Sequence, residues 1–113
     1  MKHIIVILML AVVAAPQSKA PAGDAARGKE LYVKYTCYAC HSFDGHGGAG
    51  ARLVPMKMLL PVFIAYVRAP RQMPAYREKV MSDAQLTDVY AYIKSIPESP
   101  AAKSIPLLSQ LPR

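Results

Sequence analysis

The sequence predicts an all-α domain of three to four short helices, and two stretches carry that prediction. Gly28, Leu31, Tyr32 and Tyr35 recur at the spacing of one helix face, and so do Leu86, Val89, Tyr90 and Ile93. No run of useful length alternates apolar and polar residues as a half-buried strand would.

Local chemistry justifies each element in turn. Asp24 is placed to cap a helix over 25–35, whose repeating face should be buried. Residues 43–51 are rich in glycine, with Asp44-Gly45 and Gly47-Gly48 as turn signals, and read as a loop. Pro61 opens a short helix that runs to Arg68 and stops before Pro70. Residues 72–77 form an extended loop held by Pro74. Ser82-Asp83-Ala84-Gln85 is a capping box, and the helix it starts continues to about Ser95, where Pro97 ends it. Four prolines after Ile96 break any long element, but Ile105, Leu107, Leu108 and Leu111 make this tail apolar for a chain end.

The chain has 113 residues, and 1–22 read as a cleaved secretory signal peptide. Lys2 supplies the positive start, 4–15 are apolar, and small residues follow. An apolar run of about a dozen residues falls short of the ~20 a membrane-spanning helix needs, so no stable span is expected after cleavage. The organisation is then a leader over 1–22, a folded domain over 23–97 and a Pro-rich apolar tail over 98–113.

About 90 residues are marginal for burying a core unaided. A bridge between Cys37 and Cys40 would close only a tiny loop, so it cannot staple the domain. A bound prosthetic group could supply the missing apolar surface. The chain carries 14 Lys and Arg against 7 Asp and Glu, a net +7. Losing Lys2 and Lys19 with the leader leaves 12 against 7, or +5. Such a surface favours acidic protein partners by electrostatic steering. The charges are spread along the chain with no basic run, which argues against nucleic acid.

Cys37-Tyr38-Ala39-Cys40-His41 is a haem attachment pattern. Its two thiols can add across the two vinyl groups on one side of a haem, and the next residue offers an imidazole nitrogen to the iron. Three other readings compete. A dithiol switch normally sits between a strand and a helix, and that context is missing. Zinc would want four ligands, and only His46, or His3 in the leader, remains to help these three. A structural disulfide is disfavoured by the tight spacing. Export and the need for a core-filling group both favour haem.

With the motif in place, the chain resembles the class I c-type cytochromes. Gly28-Lys29-Glu30-Leu31-Tyr32 precedes the motif, Met73-Pro74-Ala75-Tyr76 follows it, and Leu86-Thr87-Asp88-Val89-Tyr90-Ala91-Tyr92-Ile93 comes near the end, all in the family's order. The resemblance implies a cytochrome c fold, with the helices wrapped around one covalent haem c and the first and last helices crossing. Gly28 and Tyr32 would then meet Val89 and Tyr92, in agreement with the buried faces read from periodicity.

The resemblance also implies a ligand set. His41 and Met73 would hold the iron, Met73 through the match to the family's M-P-x-Y element. A thioether opposite imidazole stabilises ferrous iron relative to two imidazoles. Met56 and Met58 are assigned to packing against ring or core, and Met81 to the apolar position before the helix cap. Gly50-Ala51 stands where the family has Gly-Pro, whose proline carbonyl accepts the proton of the haem histidine. Ala51 can keep that bond through its backbone while the loop loses some stiffness. Leu53 is a ring contact by the same alignment, and Arg52 and Arg71 are candidate propionate partners. His46 follows His41 too closely to reach the other face of the ring and reads as a surface-loop histidine.

The implied function is one-electron transfer in the periplasm. The chain would act as a free shuttle or as the cytochrome subunit of an oxidoreductase, and not itself as an enzyme. Its partners would be a dehydrogenase, a cytochrome complex or a terminal oxidase with an acidic docking surface. A haem-based ligand-binding or sensing protein with a displaceable sixth ligand is the alternative.

Overall fold

The computed structural model describes residues 22–110. The expected leader, apart from Ala22, lies outside the described residues, as do Leu111 and Pro112 of the tail. Among the described residues every regular element is helical.

Helix α1 (Ala25–Lys34) is capped as expected, the Asp24 carboxylate accepting from the Arg27 amide at 3.0 Å. Helix α2 (Tyr38–His41) is a single turn inside the Cys-Cys-His motif, too short to show in hydrophobic periodicity. Helix α3 (Leu60–Arg68) starts one residue before Pro61, which accordingly sits in its first turn, where a missing N–H costs nothing. Helix α4 (Asp83–Ser95) has the full capping box. The Gln85 amide donates to Ser82 Oγ at 3.2 Å, and the Ser82 amide donates to Gln85 Oε1 at 2.9 Å. Two short turns follow in the tail, a 3-10 helix over Ala102–Ser104 and helix α5 (Pro106–Ser109). The prolines stop longer elements there, yet Pro106 is well suited to a first helical position. Leu107 and Leu108 are exposed, so these two side chains do not cover the core.

Helices α1 and α4 cross, as the buried faces require. Gly28 marks the crossing: a methyl there would overlap the Asp88 carbonyl and lie 2.9 Å from Tyr92 Cβ. The buried Tyr32 ring meets Tyr92 edge to face at 5.4 Å, and its hydroxyl donates to the Ser42 carbonyl at 2.8 Å. Phe63 and Val67 of α3 close the core against Leu86, Val89 and Ile93 of α4. Tyr35 and Tyr90 are only half-buried, because their hydroxyls reach the Val80 and Met58 carbonyls near the surface, both at 2.8 Å.

Asp88 lies within the buried face of α4 and is only 3% exposed. Its carboxylate accepts from the Asp24 amide at 2.7 Å and from Arg27 Nε at 2.6 Å, tying the start of α1 to the middle of α4. Sequence periodicity does not reveal this residue, because an acidic side chain carries no apolar signal.

α1 ends through Thr36, whose φ of 57° is left-handed and unusual for a β-branched residue. The turn has to be this sharp: the Thr36 amide donates to Val33 O and the Cys37 amide to Tyr32 O, both at 3.0 Å, so the chain doubles back into α2. Glycine is preferred at such a position. Thr36→Gly is therefore expected to stabilise the protein by about 1 kcal/mol, read as a rise in the midpoint of chemical unfolding.

Candidate cofactor site

A cavity of about 340 Å³ lies between the crossing helices, α3 and the loops on either side of it. Leu53, Phe63, Val67, Leu86, Val89 and Ile93 give it an apolar wall. Cys37, Cys40 and His41 also line it, and the single turn of α2 explains how. Positions i, i+3 and i+4 share one helix face, and the His41 amide bonds the Cys37 carbonyl at 3.0 Å. The two-residue spacer of the motif is itself the signal for this turn.

His41 is oriented by the glycine loop. Its Nδ1 lies 2.6 Å from the Ala51 carbonyl oxygen. A carbonyl can only accept, so Nδ1 is the donor and Nε2 carries the free lone pair, the arrangement a metal-bound imidazole needs. Gly50 packs against the ring edge, where a β-carbon would come within 3.0 Å of Cε1 and 3.1 Å of Nδ1, and its amide donates to the Cys40 carbonyl at 2.8 Å. Ala51 in place of proline thus preserves the carbonyl contact.

Cys37 and Cys40 are not joined in a disulfide. Burial pushes the Cys37 thiol up to about 11, the reverse of the lowered thiol expected in a dithiol switch. All four methionines of the described residues, Met56, Met58, Met73 and Met81, line the cavity. Met81 is buried, as its position before the α4 cap predicts, whereas Met58 is exposed. Arg52 lines the cavity with a partly committed guanidinium: Nε donates to Val54 O at 2.6 Å and Nη2 to Ser99 Oγ at 3.1 Å. Arg71 is exposed and does not line the cavity, although Gln72 and Met73 beside it do.

His46 differs from its expectation as a surface histidine. Its side chain is only 19% exposed, Nδ1 donates to the Asp44 carbonyl at 2.8 Å, and Nε2 is buried with no partner among the described residues. The cause is the inward fold of the glycine loop, where Gly45 at φ 67° accepts at its carbonyl from the Leu53 and Val54 amides at 2.8 and 3.1 Å. His46 does not line the cavity.

The donor set fits a haem. The sulfur atoms of Cys37 and Cys40 and an imidazole with an available nitrogen share one helical face, in a mostly apolar cavity of the size cofactors occupy. Among the described residues no group of three or more His, Cys, Asp or Glu could hold a metal ion, so the four-ligand zinc reading finds no cluster here.

Comparison with known proteins points the same way. The family described as cytochrome c oxidase, cbb3-type, subunit III matches residues 23–93. The chain is 34% identical over 83 residues to a cytochrome bc1 complex cytochrome c subunit of Corynebacterium diphtheriae, covering 69% of this chain and 29% of that protein. It is 31% identical over 83 residues to the subunit of the same name from Corynebacterium efficiens, covering 69% of this chain and 28% of that protein. The chain therefore spans under a third of the length of these curated relatives. No solved structure matches it.

Proposed function

This chain belongs to the c-type cytochromes, electron-transfer proteins with covalently bound haem c, and from that premise we propose that Cys37 and Cys40 attach its haem while His41 and Met73 ligate the iron. When bound, the haem supplies the one-electron couple. The protein's part is to hold, orient and desolvate it. The observation that carries the proposal is the His41 geometry, with Nδ1 tied to the Ala51 carbonyl so that Nε2 is left for the metal. Met73 is singled out from the four cavity methionines by its Pro74-stiffened loop and its match to the family element.

The site of action is the periplasm, a reading that rests on the leader over 1–22. Among the described residues no helix is long and apolar enough to cross a membrane. The electron partner is an oxidoreductase complex, and the two relatives named as bc1-complex subunits support a cytochrome complex of that class. Docking would use the open side of the cavity. Met58 and Tyr66 line the cavity yet stay exposed, and Leu59 and Val62 beside them are exposed as well. Lys57 and the net +5 that remains without Lys2 and Lys19 suit a partner with an acidic rim.

Replacing Met73 tests the ligand set. Met73→Ala is expected to keep the covalent haem, abolish the weak far-red band that methionine gives ferric haem, and admit carbon monoxide to the ferrous form. The potential should fall by on the order of 0.1 V, within the roughly 0.8 V that axial ligands control. An unchanged band and potential would exclude Met73 as the ligand. Rapid carbon monoxide binding by the unaltered protein would instead favour the ligand-sensing alternative.

A further inference from the structure

We propose that Arg68 is a positioning residue that clamps the loop carrying Met73, so that the thioether is held in place by preorganisation. The inference rests on the reading of Met73 as a ligand. Residues 70–75 make no backbone–backbone hydrogen bond among the described residues, so the segment is held at its ends. Its far end is fixed at Tyr76, where three bonds meet. The Tyr76 amide donates to Val67 O at 3.1 Å, its carbonyl accepts from Arg68 Nη1 at 2.7 Å, and its hydroxyl donates to Tyr35 O at 3.0 Å.

Arg68 does more than this one contact. The same Nη1 donates to the Met81 carbonyl at 2.7 Å, and Nη2 pairs with the Asp83 carboxylate at the start of α4. One guanidinium thus joins the end of α3, the close of the Met73 loop and the first turn of α4, with only 20% of its side chain exposed. Two carbonyls bond one guanidinium nitrogen and a carboxylate the other, a fixed spread of donors that the single ammonium nitrogen of lysine reproduces poorly. Charge-assisted bonds of this kind are about twice as strong as neutral ones. A helix-ending arginine would ordinarily be read as a dipole partner, and the two long-range carbonyls show the larger role.

A loop free to swing would leave the thioether bound for a smaller fraction of the time, and an added ligand would compete in proportion. The test is imidazole titration of the ferric holoprotein, followed by the far-red methionine band, alongside thermal unfolding followed by circular dichroism. Arg68→Ala is expected to keep the covalent haem and the helical signal while imidazole displaces the methionine at concentrations about tenfold lower. Asp88→Asn serves as the control, because it weakens the fold at the α1–α4 contact through Asp24 and Arg27 and removes none of the bonds that hold this loop; its imidazole titration should match that of the unaltered protein. Imidazole binding by Arg68→Ala at the original concentration would overturn the proposal, and so would an equal shift in Asp88→Asn, which would mean that general destabilisation explains both. If Arg68→Ala does not assemble with haem, Arg68→Lys carries the same titration, with a shift in the same direction expected and no shift overturning the assignment. Survival of the band in Met73→Ala is a separate result: it would remove the ligand reading and leave the hydrogen bonds of Arg68 as they are.

Discussion

Gly28→Ala is expected to destabilise the folded protein by at least about 3 kcal/mol, lowering the melting temperature by roughly 15 °C. The sign decides the argument. Judged by helix propensity alone, alanine in α1 should stabilise by about 1 kcal/mol over glycine. The added methyl would overlap the Asp88 carbonyl and crowd Tyr92 Cβ, and neither atom is the flexible end of a side chain. The helices would have to separate, and with them Tyr32, Val89 and Ile93, which line the cofactor cavity. Haem incorporation should therefore fall together with stability. Gly23→Ala is the informative comparison. A methyl there would overlap the Thr87 carbonyl, but Gly23 precedes α1 and its chain can shift aside, so the loss should be smaller. Thermal unfolding of both variants, with the haem content of each, checks the ranking. A more stable Gly28→Ala protein would show that the helices do not cross at this glycine.

Local rules made much of this fold legible. The faces through Leu31 and Tyr32 and through Leu86, Val89 and Ile93 are buried where their spacing puts them, and the Ser82 to Gln85 box closes with both of its bonds. Each of these depends on residues within one or two turns of one another. The unreadable features depend on partners far along the chain. Asp88 is defined by Asp24 and Arg27, which lie 64 and 61 residues away, and Arg68 by carbonyls beyond an extended loop. His46 followed the habit of polar residues in glycine-rich loops until the Leu53 and Val54 amides drew its loop inward. The site divides in the same way. Residue types and spacing identify Cys37, Cys40 and His41 as candidates, and the family resemblance implies the bond from His41 Nδ1 to Ala51 O that the fold makes at 2.6 Å, but only the fold shows that four methionines share one cavity.

Asp88 gives the second large effect, and it has a pH signature. The hydrogen bond from Arg27 holds the Asp88 carboxyl below the usual carboxylate range, aided by the Asp24 amide and opposed by burial. A group whose folded pKa is depressed contributes stability that is complete above its unfolded value, about 3.9, and is lost as pH falls through the folded value. Protonation leaves a neutral acid facing the Arg27 guanidinium, and the strong charge-assisted bond goes with it. Asp88→Asn keeps the shape and an oxygen for the Asp24 amide but cannot make the charged contact. At neutral pH it should lower the melting temperature by roughly 5 °C, the shift expected for a loss on the order of 1 kcal/mol in a domain of this size. The difference between the two proteins should persist down to about pH 4 and shrink below it as Asp88 itself becomes protonated. Melting curves of both proteins across that range test the assignment, and the comparison cancels the other carboxylates, including Asp44, which its bond from Ser42 also holds low. A difference that stayed constant into strong acid would show that Asp88 contributes through packing, with its charge playing no part at the helix crossing.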